Sequence, residues 1–117
     1  MSSFKTEIYP EILNRLSKNR RHFTKTEKEP NFVRFDGERV EVRTNKSKPS
    51  YEVIPYEFFE KTWDVLQKKG RVNQNNLSNV HYVKRSAFMF IAFDLLDEVT
   101  YKDFNNSLVL KNWEPNN

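Results

Sequence analysis

The chain has no cysteine, which excludes a disulfide framework and any thiolate metal site. Its two glycines, Gly37 and Gly70, cannot make a glycine-rich phosphate loop or a dinucleotide fingerprint. No Gly-x-Ser-x-Gly elbow is present. The two histidines, His22 and His81, have no carboxylate at a metal-binding spacing. No apolar run approaches the roughly 18 residues a membrane span needs, and the N-terminus does not read as a signal peptide. Together these absences predict a cytoplasmic, non-enzymatic protein with no cofactor, no metal and no catalytic residue. The nearest thing to a catalytic set is Asp36 with Glu41-Val42-Arg43, a loose imitation of a Mg²⁺-binding carboxylate pair. It falls across a tight hairpin, which offers too little scaffold for a nuclease.

What the chain does have is aromatic side chains: 15% of 117 residues, ten of them Phe. That is enough to fill one core at this length. The charge is uneven. Residues 1–50 hold 12 Lys and Arg against 7 Asp and Glu, whereas residues 51–117 hold 8 against 9. A basic first half points to a polyanionic partner, and the competing explanation is a solvated lysine-rich surface.

Periodicity predicts an α+β chain. Ile8, Ile12 and Leu16 share one face of an amphipathic helix over residues 5–21, with regular helix starting near Pro10. Its end would carry the basic run Lys18, Arg20 and Arg21, suited to the negative end of the helix dipole. Residues 31–44 read as a β-hairpin around Asp36-Gly37, with Val33 opposite Val40 and Arg34 opposite Arg39. Residues 45–50 form a polar seam between two sub-structures of one domain. A short strand at 51–54 precedes a helix from Pro55 to about Lys69, stopped by Gly70. A short extended segment, a short helix at 74–79 and a third helix at 83–97 follow. That third helix is apolar nearly all round from 87 to 93, so it should be central. Two strands, Glu98–Lys102 and Ser107–Lys111, flank a polar turn, and residues 112–117 read as a loose tail.

The order over residues 51–111 is that of a winged helix-turn-helix. The stretch Val40–Thr44 with Ile54-Pro55, then Trp63, Leu66 and Gly70, then Lys84-Arg85-Ser86-Ala87-Phe88, then Leu95-Leu96, resembles a winged-helix-like module of bacterial restriction endonucleases and related DNA-processing proteins. The resemblance covers roughly residues 38–111. It implies double-stranded DNA as partner, the third helix near the major groove and the wing on the backbone.

The residues expected to touch DNA follow. Lys84, Arg85 and Ser86 open the third helix, where N–H groups and cations can meet phosphate or guanine edges. Lys18, Arg20, Arg21, Arg34, Arg39, Arg43, Lys46 and Lys48 would form a phosphate-tracking surface in the first half. Lys102 sits at the wing. The bland alternatives are helix caps, solvated cations and neutralisation by Glu27, Glu29, Glu38 and Glu41. Trp63, Phe59, Phe90 and Phe93 read as core.

The competing function is a protein-interaction module. One form is a small phage or mobile-element protein that docks on the nucleic-acid-binding surface of a host nuclease or defence complex. Glu57, Glu60, Asp64, Asp94, Asp97, Glu98 and Asp103 would suit a basic partner. A homodimer is also expected if Met89 and Phe93 are exposed in the monomer.

Overall fold

The computed structural model describes residues 4–25, 28–44, 50–77 and 86–113. The chain is a mixed α+β structure with two antiparallel sheets. A π-helical turn, Phe4–Ile8, runs into helix α1, Tyr9–Leu16. A four-stranded meander follows: β1 (Arg21–Phe23), β2 (Pro30–Asp36), β3 (Arg39–Thr44) and β4 (Glu52–Ile54), paired in that order. Then come α2 (Tyr56–Lys69), β5 (Arg71–Asn73), α3 (Gln74–Leu77), α4 (Ser86–Asp94), β6 (Val99–Lys102) and β7 (Ser107–Leu110). The second sheet has the order β5-β7-β6.

The first helix is shorter than the predicted 5–21. The apolar stripe ends at Leu16, and residues 17–21 offer no apolar side chain with which to bury another turn. His22 closes the helix instead. Its Nε2 lies 3.0 Å from the Leu16 carbonyl and 2.9 Å from that of Asn19, so this nitrogen donates to both. The basic run therefore leaves the helix. Lys18 stays exposed in the turn, and Arg21 becomes the first residue of β1.

The hairpin forms where expected, but in a different register. Val33 pairs with Val42, Arg34 with Glu41, Phe35 with Val40, and Asp36 with Arg39. The turn residues are Gly37 and Glu38, and of the two only Gly37 has positive φ, at 64°, the pattern of a type II′ rather than a type I′ turn. This register removes the predicted opposition of two arginines. Like charges directly across a ladder repel, whereas Arg34 against Glu41 attracts. Residues 45–49 of the predicted seam lie outside the described residues, and β4, which follows them, pairs with β3.

Helix α2 follows its sequence signals closely. Gly70 adopts the left-handed conformation, φ 75°, and its N–H bonds to the Leu66 carbonyl at 2.8 Å. The tail is not loose at its start. The Trp113 ring covers Gly70, and its Nε1 donates to the Gln67 carbonyl at 2.8 Å.

One core joins elements of both halves of the chain. Ile12 and Leu16 of α1, Val40 and Val42 of β3, Phe58, Phe59 and Leu66 of α2, and Leu108 of β7 are buried in it. Helix α4 is buried from Phe88 through Phe93, so Met89 and Phe93 are covered by the chain itself. The apolar surface on which the homodimer expectation rested is therefore absent. Phe4, Trp63 and Phe93 pack as a trio with ring centroids 5.9–6.3 Å apart. Ion pairs tie the first half to the second: Arg15 reaches Asp97 and the Leu95 carbonyl, and Lys25 reaches Asp94. Among the described residues no helix is long and apolar enough to cross a membrane.

Candidate nucleic-acid interface

Alternation along β1, β2 and β3 sorts their side chains onto two faces. Val33, Val40, Val42 and Ile54 point into the core. The other face carries Arg21 and Phe23 of β1, Phe32 and Arg34 of β2, and Arg39, Glu41 and Arg43 of β3. Phe32 pairs in register with Arg21 on one side and with Arg43 on the other. Directly opposed residues share a face, so the sheet carries an Arg–Phe–Arg row.

Aromatic rings and guanidinium groups are interleaved there. The Arg43 guanidinium sits 4.4 Å from the Phe32 ring centre and 5.6 Å from that of Tyr51. Arg34 lies 3.9 Å above Tyr51, and Arg21 lies 5.2 Å from Phe23. These are cation–π distances. Phe23 is 47% exposed and Val53 46%. These two, the large exposed apolar residues of the described chain, both belong to this face, because Val53 pairs with Glu41.

An open cavity of about 660 Å³ occupies the β1 side of this face. Asn19, Arg20, Arg21, Phe23, Phe32, Val33, Arg43 and Tyr51 line it. Three of the eight are arginines and none is a carboxylate. Among the described residues neither Arg20 nor Arg21 is in an ion pair.

Arg34 and Arg39 are spent differently. Arg34 Nε donates to Glu41, and Arg39 Nη2 lies 2.9 Å from Asp36 and 3.0 Å from Glu41. The hydrogen bond from Arg34, above all, holds the Glu41 carboxyl below its usual range. The Asp36 and Glu41 carboxylates are thus bridged by one arginine. Among the described residues no group of three or more His, Asp or Glu could hold a metal ion.

The site residues expected from sequence separate into four groups. Arg20, Arg21 and Arg43 converge on the cavity. Arg34 and Arg39 adjoin it but are paired within the hairpin, and Lys18 is exposed nearby in sequence. Lys102 is elsewhere, in a cleft of about 440 Å³ with Lys69, Arg71, Asn105 and Trp113. Ser86 begins α4, while Lys46, Lys48, Lys84 and Arg85 lie outside the described residues.

Sequence reading missed Phe23, Phe32 and Tyr51. The available signal was local: Arg21-His22-Phe23 and Phe32-Val33-Arg34 place an aromatic and an arginine two residues apart, the spacing that puts both on one face of a strand. Comparison of the chain with family models, with curated proteins and with solved structures finds no match.

Proposed function

We propose that this protein is a small, non-enzymatic DNA-binding protein whose main phosphate-contacting surface is the outward face of the first sheet. The observation that carries this reading is the convergence of Arg20, Arg21 and Arg43 on one cavity without a carboxylate. Guanidinium groups so placed can each give two N–H donors to a phosphate. Among the described residues Arg20 and Arg21 are in no ion pair, so their charge is available to such a phosphate.

The second half supports a winged-helix-like arrangement. Helix α2, strand β5, helices α3 and α4 and the β6–β7 hairpin follow in the order of that module, and the last strand lies central in its sheet. The burial of α4 from Phe88 to Phe93 keeps that stretch of the helix out of a groove. Lys102 at the wing, with Lys69 and Arg71, offers a second basic contact to the DNA backbone.

A labelled random duplex, titrated across a salt series, tests the reading. Binding should weaken steeply with salt, and an Arg20→Glu/Arg21→Glu double variant should lose most of it. Equal binding by the double variant, or a flat salt response, would overturn it.

The alternative, a protein-docking module, keeps one specific observation. Glu57, Glu60 and Asp64 are exposed and spaced along one face of α2. Asp94 and Asp97, by contrast, are paired internally with Lys25 and Arg15. Absence of DNA binding at low salt, with capture of a basic partner that Glu57→Lys/Glu60→Lys abolishes, would favour that alternative.

A further inference from the structure

We infer that the outward face of the first sheet binds unpaired nucleotides, stacking their bases on Phe23, Phe32 and Tyr51 while Arg20, Arg21 and Arg43 hold the phosphates. This rests on the DNA-binding reading and narrows it to the form of nucleic acid this face accepts.

The shape of the face argues first. A B-form major groove admits a helix or a two-stranded ribbon. The broad face of a four-stranded meander does not enter it. A duplex also hides its base faces inside the stack, so aromatic side chains gain nothing from it beyond the backbone. Unpaired bases present those faces, and their stacking on aromatic rings or guanidinium planes is the common route to single-strand binding.

The composition of the face argues second. Burial would be the ordinary fate of Phe23, yet it is 47% exposed, beside an arginine, on the rim of a cavity. Phe32 and Tyr51 are half-buried, and each already carries a guanidinium over its ring. The cavity thus alternates flat apolar surfaces with cations, matching the base-and-phosphate alternation of a single strand. An acidic peptide would satisfy the arginines but would leave the exposed rings without a flat partner.

The third argument is size. A cavity of about 660 Å³ lies within the roughly 300–1,000 Å³ of sites that enclose small molecules. That is room for a nucleotide or two, and the strand would continue across the sheet toward Arg34.

Fluorescence anisotropy with labelled oligothymidylate and oligouridylate of about 12 nucleotides, beside a duplex of the same length, tests this. The single strands should bind more tightly than the duplex. Phe23→Ala should weaken single-strand binding roughly 5- to 150-fold, the equivalent of one lost stacked base, and leave duplex binding nearly unchanged. Phe23→Trp should restore affinity, and its emission should be quenched on binding. Tyr51→Ala should behave as Phe23→Ala does. Because Phe23 is exposed, its removal leaves the fold intact, as an unchanged melting temperature would show. Preference for thymidylate would name DNA as the source of the strand, preference for uridylate RNA, and either supports the assignment.

Two results would overturn it. One is duplex binding as tight as single-strand binding and indifferent to Phe23→Ala and Tyr51→Ala; the DNA-binding reading would then survive alone. The other is equal binding of heparin and oligothymidylate with no effect of either aromatic variant, which would make the face a general polyanion site. Failure to bind any nucleic acid at low salt would instead remove the underlying reading as well.

Discussion

Arg34 stands directly opposite Glu41 across the β2–β3 hairpin, and its Nε donates to the Glu41 carboxylate. Arg39 takes the other carboxylate oxygen at 3.0 Å. One acid therefore withholds two arginines from the sheet face.

Glu41→Gln keeps the shape and removes the charge. The variant should bind polyanions more tightly, and its dependence on salt should steepen by about 1 in the slope of log affinity against log salt, as Arg34 becomes available while Arg39 keeps Asp36. A salt titration with the labelled duplex measures this. The same pairing predicts an acid limb in stability. The Glu41 carboxyl sits below its ordinary 4.5, so its contribution is present above that value and is lost as pH falls through the lowered folded value. In Glu41→Gln that part of the acid limb should be missing.

At alkaline pH the tyrosines matter. Burial, reinforced by Glu38, pushes Tyr9 up from 10.0 to about 12, and burial with the hydrogen bond to Glu60 does the same for Tyr56. The unfolded chain ionises them near pH 10. The neutral phenols therefore contribute stability fully below pH 10, and that contribution disappears as pH climbs toward about 12. Melting temperature should fall over that window. Tyr9→Phe should flatten part of the fall, while losing about 0.5–1.5 kcal/mol at neutral pH with the hydrogen bond to the Glu38 carbonyl.

Gly70→Ala tests the join between α2 and the tail. Ala in the left-handed region costs roughly 1–2 kcal/mol. A Cβ there would also stand 2.5 Å from Trp113 Cδ2, so the ring must move and its bond to Gln67 is strained. Chemical denaturation should show a loss larger than conformation alone gives. The Gly70→Ala/Trp113→Ala double variant should lose less than the two separate losses added together, because without the Trp113 ring the added methyl meets no clash.

Phe93 joins α4 to the N-terminal turn through Phe4 and to α2 through Trp63. Phe93→Ala should cost about 3–5 kcal/mol, the range for a deleted buried aromatic. Against a domain stability of about 5–15 kcal/mol this leaves a marginal protein. Wild-type sedimentation should show no self-association through α4, since that helix is already covered.

Much of the fold was legible where a few adjacent residues set the backbone. Pro55 and Gly70 bracket α2, and Asp36-Gly37 marks a hairpin, because a fixed φ or a permitted positive φ is a property of those residues themselves. The unbroken apolar run of Phe88–Phe93 likewise announces a central helix, since no orientation of it leaves a polar face for water. What the residues alone left open depends on partners distant in the chain. The hairpin register turned on Arg34 meeting Glu41 rather than Arg39. The end of α1 turned on His22 folding back onto Leu16. The candidate site turned on three strands laying Arg21, Phe32 and Arg43 side by side, with Tyr51 brought in across a connection. Composition determined that the chain has a basic half and a phenylalanine-rich core. Only strand pairing decided which arginines converge and which aromatics stay outside, because pairing energy is a sum over contacts that no single segment contains.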